Sequence, residues 1–274
     1  MVCYLFYLIA APFTANLSGD VRTTDVMVNR NFCFDLLSMC LFDDCSNFYA
    51  VIFSKKGVLC LVMFFLKVIN LEHRDDRKAE CVAEFYLAGI SAGDDFFFKA
   101  YSKPDFGALG ASLSHANLIA SYISESECQY LVVLEDDFEI YNKESFLDDL
   151  TKAVACSDKW DVFLLSHNQA VPIEVIDNEN GFYRVVNSQT ASGYIVKRPF
   201  ATKLMAVFFD SVIGLQNSVH LGEQSGAMVK HFYCLDILWK KLQTEFNFVA
   251  RFPALLKQRA SYSDIEKKDV NYGV

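Results

Sequence analysis

The sequence predicts an α/β domain built on a central, mostly parallel sheet flanked by helices. Three observations carry that expectation. Short runs of strand length, Val68-Ile69-Asn70-Leu71, Leu131-Val132-Val133-Leu134 and Trp160-Asp161-Val162-Phe163-Leu164-Leu165, are close to continuously apolar, the pattern of strands covered on both faces. Stretches of helical periodicity lie between them, as in 142–155, where Phe146, Leu150 and Val154 recur at fourfold spacing. The run from Leu131 stops abruptly at Glu135-Asp136-Asp137, as a buried parallel strand does where its carboxyl end opens into a ligand crevice.

In chain order, residues 1–62 carry five of the nine cysteines and no sustained periodicity, and a compact α/β pattern begins abruptly at Met63. The expected division is an N-terminal extension over 1–62, upstream of a natural start at Met63, and a main domain over 63–274. The alternative for 1–62 is a hydrophobic element that docks on a membrane or a partner. The apolar run 2–13 is too short to span a bilayer and lacks the basic leader of a signal peptide, so a cytoplasmic location is expected.

After the strand ending at Leu71, Arg74 and Arg77 fall on one face of a first helical turn, where guanidinium forks suit phosphate oxygens. A helix start salt-bridged to Asp75 and Asp76 is the alternative reading. Residues 96–98 form a short strand. The small residues of 107–112 permit close backbone approach, and a glycine-bearing helix start can hold anions on free N–H groups; tight helix-strand packing leaves the same signature. His115 is either a packed histidine or a ligand contact. Further on, the sequence predicts a hairpin in 171–184, a strand over 190–196 with Gly193 allowing close approach, helices over 199–209 and 237–242, and a late strand at 248–253.

Composition narrows the function. A chain of 274 residues, 53% of them hydrophobic, can bury a sizeable core, and a net charge of -9 excludes a general nucleic-acid binder. The cysteines form no CxxC pair or zinc spacing and read as reduced core residues. In the acidic triplet three carboxylates repel one another, and no Lys or Arg lies between Ser124 and Tyr141 to offset them. A bound cation or basic neighbours from elsewhere must do so. Oxygen ligands suit Mn²⁺ or Mg²⁺, metals that commonly bridge to phosphate. Glu135, Asp136 and Asp137 are therefore the candidate metal residues, with alternation along a strand placing Glu135 and Asp137 on one side. The competing reading has these acids opening a helix.

Four segments in order, Val68-Ile69-Asn70-Leu71 with Arg74 and Arg77, then 107–115, then Leu134-Glu135-Asp136-Asp137, then Thr190-Ala191-Ser192-Gly193-Tyr194-Ile195-Val196, closely resemble glycosyltransferase family 25. That family holds bacterial lipopolysaccharide and lipooligosaccharide galactosyltransferases and the collagen galactosyltransferases. The resemblance covers nearly everything after Met63 and none of 1–62. It implies a GT-A-like nucleotide-sugar-binding domain, UDP-galactose as donor, and Mn²⁺ (or Mg²⁺) at the acidic triplet. It further implies donor contacts from Asn70, Arg74, Arg77, Gly107, Gly110, Ser114, His115, Gly193, Tyr194 and Gln258. Ser192 is an extra residue relative to the commoner Thr-Ala-Gly-Tyr arrangement. The segment 233–238 resembles the family's later aspartate segment without its preceding proline and marks Asp236 as the catalytic base, with a helix-capping role as the rival. Gln258 and 261–265 resemble the family's C-terminal Gln…Ser-Asp-Ile signature. The implied reaction is transfer of galactose, with inversion, to a sugar hydroxyl of a lipooligosaccharide or lipopolysaccharide acceptor, met peripherally at the inner face of a bacterial inner membrane. Two rival readings are a metal-dependent nucleotidyl or phosphoryl transferase, for which no Walker-type loop is present, and a degenerate domain serving as a binding module.

Overall fold

The computed structural model describes residues 39–42, 47–53, 59–225, 229–263 and 268–270. The apolar run 2–13 and the Asp264-Ile265 part of the C-terminal signature lie outside them.

A mixed sheet of ten strands forms the centre, flanked by helices on both faces. Its strands are β1 (Met39–Phe42), β2 (Asn47–Phe53), β3 (Leu59–Asn70), β4 (Phe97–Lys99), β5 (Tyr130–Glu135), β7 (Val162–Leu164), β8 (Val175–Asp177), β9 (Phe182–Arg184), β10 (Gly193–Lys197) and β11 (Phe248–Arg251). They lie in the order β1-β2-β3-β5-β10-β7-β11-β9-β8, with β4 beside the C-terminal part of β3. The strands β3, β4 and β5 pair in parallel, as do β7 and β11. Between these two groups β10 runs antiparallel to both neighbours. Its N-terminal end therefore lies at the edge where β5 and β7 end, and the backbone shows it: Glu135 N–H donates to Ser192 O and Leu165 N–H to Gly193 O. Beyond the sheet, β6 (Phe138–Ile140) pairs with β12 (Leu256–Gln258), and β13 (Ser261–Ser263) with β14 (Lys268–Val270).

The alternation of strand side chains divides the interior into two cores. Phe64, Leu66, Val68, Val132, Leu134 and Phe163 point into one, shared with α1 (Asp75–Leu87) and α3 (Phe146–Ala155). Phe65, Ile69, Leu131, Val133, Val162 and Leu164 point into the other, shared with α2 (Gly107–Glu125) and α4 (Arg198–Ser225). Each such side chain, fully buried, contributes roughly 1.5–3 kcal/mol. This is why the runs read as continuously apolar: both faces of the sheet are covered.

The structure departs from the sequence reading in three places. The helix expected over 199–209 runs to Ser225, because Val212 and Leu215 continue its apolar face and Ser211 Oγ meets Ser112 Oγ of α2 at 2.8 Å. The helix expected over 237–242 is two pieces, α5 (Leu235–Leu238) and α6 (Lys240–Glu245), which meet at Trp239. That indole is fully buried against Tyr194, Phe208 and Phe248 and donates to Ser188 O, so the chain turns to seat it. Finally, β3 starts at Leu59 and β2 pairs along its first half, so the sheet crosses the boundary set at Met63. No helix among the described residues is long and apolar enough to cross a membrane.

Candidate active site

The strand β5 ends at Glu135, and Asp136 and Asp137 form a turn into β6. The three acids thus leave the strand one after another and enter three different environments.

Asp136 turns inward and is 6% exposed. Its Oδ1 accepts from Arg77 Nη1 at 2.5 Å, its Oδ2 from Asn70 Nδ2 at 2.9 Å, and its backbone carbonyl from Cys81 Sγ at 3.2 Å. Arg77 continues to Ser261 Oγ at 2.8 Å and Tyr262 O at 2.7 Å, which fastens the C-terminal segment over the turn. The basic neighbour absent from the local sequence therefore comes from α1, 59 residues upstream. Burial raises the Asp136 carboxyl in spite of the guanidinium. Both Asp136 oxygens are thus hydrogen-bonded, and Asn70 and Arg77, expected at a donor, are the groups that hold them. Because removing one member of a buried ion pair strands the other charge, Arg77→Met is expected to lower unfolding stability by about 3–5 kcal/mol, read as a shift of the urea midpoint at unchanged m-value. Arg74 pairs with the exposed Asp76 at 2.8 Å, a surface bridge of small energetic weight.

Asp137 shares the Arg77 guanidinium, its Oδ2 lying 4.0 Å from Arg77 Nη1. The Glu135 side chain is 29% exposed, with Oε1 3.2 Å from His115 Nε2 and Oε2 3.5 Å from Gln258 Nε2. Asp137 Oδ1 is buried without a hydrogen-bond partner. Its carboxyl is pushed up to about 7, first by burial and then by the Glu135 charge. Asp236, in the first turn of α5, is pushed up to about 6 by the same two causes in the same order. Glu135 is thus the carboxylate whose charge raises both aspartates. Asp236 is not the N-cap; that position is Cys234, with no side-chain cap bond.

An orphaned buried carboxylate oxygen beside a second carboxylate fits a hard divalent cation. Among the described residues no group of three or more His, Cys, Asp or Glu is placed to hold a metal ion. A cation here would complete its shell with water or phosphate oxygens, as Mg²⁺ sites with one or two carboxylates do.

The remaining expected donor residues mostly support this edge from behind. A Cβ on Gly110 would lie 2.6 Å from Tyr101 O, and Ser114 Oγ accepts from Tyr101 N–H at 2.8 Å while donating to Gly110 O at 2.8 Å. The small residues of α2 therefore let the loop 101–103 lie close against the helix. Gly107 opens α2 after Phe106, which makes no side-chain cap bond. A Cβ on Gly193 would stand 2.9 Å from Leu256 Cδ1, so its smallness seats β12 on β10. Tyr194 is fully buried and His115 is 1% exposed, which leaves neither facing the open side. His167 is a loop anchor: Nε2 lies 3.1 Å from Arg251 O, its ring packs on Phe252 at 4.3 Å, and burial lowers its pKa. The sequence reading missed a cleft of about 370 Å³ beyond the ends of β3 and β4, lined by Leu71, Glu72, His73, Lys99, Ala100, Tyr101 and Ser102. Only the Phe97-Phe98 strand that ends there hinted at it.

No protein-family model and no curated protein matches the chain. Among solved structures it is distantly similar to A197 from STIV, with a TM-score of 0.39 and 10% identity over 76% of this chain and 91% of that one. A mannose-1-phosphate geranyltransferase from Thermus thermophilus is also similar, with a TM-score of 0.35 and 14% identity over 67% of this chain and 58% of that one.

Proposed function

We propose that the chain is a metal-dependent nucleotide-sugar glycosyltransferase of the family 25 kind, transferring galactose from UDP-galactose to a sugar hydroxyl with inversion. The observation that carries this is the buried Asp137 Oδ1, left without a hydrogen-bond partner just past Glu135 at the end of β5, with the Glu135 charge raising both Asp137 and Asp236. The four ordered segments that resemble the family support it.

Glu135 and Asp137 would hold Mn²⁺ or Mg²⁺ together with the donor diphosphate. Bound there, the cation would supply charge stabilisation for the departing diphosphate. Asp236 takes the proton of the acceptor hydroxyl as that oxygen bonds to the anomeric carbon and the bond from carbon to diphosphate oxygen breaks. Its raised pKa brings its basicity closer to the operating pH, as general-base catalysis favours. The neighbouring cleft takes the nucleoside, with the half-exposed Tyr101 ring as one wall. The acceptor is a lipooligosaccharide or lipopolysaccharide core, met by peripheral contact at the cytoplasmic face of a bacterial inner membrane.

The test is release of UDP from a panel of UDP-sugars with Mn²⁺ and an oligosaccharide acceptor. Selective turnover of UDP-galactose is the expected result. Turnover of a nucleoside triphosphate instead would favour nucleotidyl or phosphoryl transfer. Neither turnover nor binding of any UDP-sugar would leave a non-catalytic binding module.

A further inference from the structure

Behind Glu135 sits a buried pair that the proposed chemistry does not itself use. His115 lies in the middle of α2 with Nε2 3.2 Å from Glu135 Oε1, and its Nδ1 is 3.0 Å from the hydroxyl of Tyr194 on β10. The two rings stack at 5.8 Å, and Phe208 closes a third side of the imidazole edge-on. His115 is 1% exposed and Tyr194 fully buried, so the imidazole has one fixed orientation and two fixed hydrogen-bond partners.

The proton inventory of this group is determined by its partners. Burial holds the Tyr194 pKa well above its ordinary value, so the phenol keeps its proton. Among the described residues that hydroxyl has no other hydrogen-bond partner than His115 Nδ1, and a buried O–H left without an acceptor is costly. The phenol therefore donates to Nδ1, which leaves the imidazole proton on Nε2, directed at Glu135 Oε1. The opposite tautomer would aim a lone pair at a carboxylate.

We propose that His115 is a positioning residue for the divalent-cation site: its Nε2–H, fixed by the Tyr194 hydroxyl, orients the Glu135 carboxylate that would hold the cation with Asp137. This rests on the metal-dependent reading above. The arrangement matches the outer hydrogen bonds that hold ligating carboxylates elsewhere, whose loss typically weakens metal binding about 10–100-fold. Asn70 and Cys81 bond to Asp136, and Arg77 pairs with Asp136 and lies 4.0 Å from Asp137, so His115 and Gln258 are the side chains that the structure places on Glu135.

The experiment is Mn²⁺ binding to the full chain, followed by the electron paramagnetic resonance signal of free Mn²⁺, with and without UDP. His115→Ala and Tyr194→Phe are expected to weaken binding about 10–100-fold and about tenfold, respectively. His115→Gln, whose amide can donate from a similar position, is expected to recover most of the loss. Circular dichroism confirms that each variant is folded, and Tyr194→Phe, the mildest change, keeps the test open if His115→Ala fails to fold. If Asp137→Ala abolishes binding while folded Tyr194→Phe and His115→Gln bind as the wild type does and His115→Ala shows no loss, the positioning role is overturned and the metal reading stands. Absence of Mn²⁺ binding to the wild type with UDP overturns both.

Discussion

Asp137→Asn is expected to reduce metal-dependent transfer by about 10³-fold or more while making the metal-free protein more stable. Loss of a cation that contributes several kcal/mol of transition-state stabilisation accounts for the first effect, at about 1.4 kcal/mol per factor of ten. The second follows from the sign of the Asp137 shift. Its carboxyl has an ordinary value of 3.8 and is raised to about 7 in the fold. Below the lower value both folded and unfolded chains hold the proton, and the group contributes nothing. As pH rises toward 7 the unfolded chain releases the proton and the folded chain resists, so the group becomes progressively destabilising, and fully so above about 7. Asparagine removes that penalty, which is on the order of a few kcal/mol for a largely dry carboxylate. At pH 8 without metal, thermal unfolding of the variant should therefore occur at higher temperature than that of the wild type, and at pH 4 the two should converge. Adding Mn²⁺ and UDP should reverse the order, because only the wild type gains binding energy on the folded side. A stability loss in the metal-free variant at pH 8 would show that Asp137 is a structural residue.

Asp236→Asn is expected to lower kcat by about 10²–10⁴-fold with little change in donor binding, the range for removal of a general base. The wild-type rate should fall as pH drops through about 6, where the raised Asp236 carboxyl takes up its proton, and the variant should lack that limb. The measurement is a pH profile of UDP release with saturating donor. A purely capping aspartate would behave otherwise: its loss would cost about 1 kcal/mol of stability and leave kcat and the profile intact. In the structure the N-cap position is held by Cys234, which makes no side-chain cap bond, and Asp236 lies in the first turn.

Much of the fold was legible because its cause is local. β5, β7 and α3 could be read from apolar runs and fourfold spacing, and the hairpin of β8 and β9 from the Asn and Gly residues around 178–181, where Gly181 takes a φ of +68. The direction of β10 was not legible: a strand buried on both faces has the same composition whichever way it runs. The acidic triplet was legible as a site, but not its division of labour. Strand alternation describes only Glu135, the last residue of β5; Asp136 and Asp137 share Arg77, brought in across the fold, and Asn70 bonds Asp136. Gly110 illustrates the same limit. Its small size announced a close approach, yet the approaching group is the Tyr101 carbonyl of a packed loop and not a ligand. His115 and Tyr194, expected as donor contacts, are buried in the structure, because burial of a residue depends on which elements cover it and not on its neighbours in sequence.

The central claim, that Glu135 and Asp137 form a cation site shared with a nucleotide diphosphate, is tested most directly by calorimetric titration of UDP into the full chain with and without Mn²⁺. The expected result is binding that strengthens at least tenfold with Mn²⁺ in the wild type and is insensitive to Mn²⁺ in Asp137→Ala. UDP binding of equal strength with and without the metal, or no binding in either condition, would contradict it.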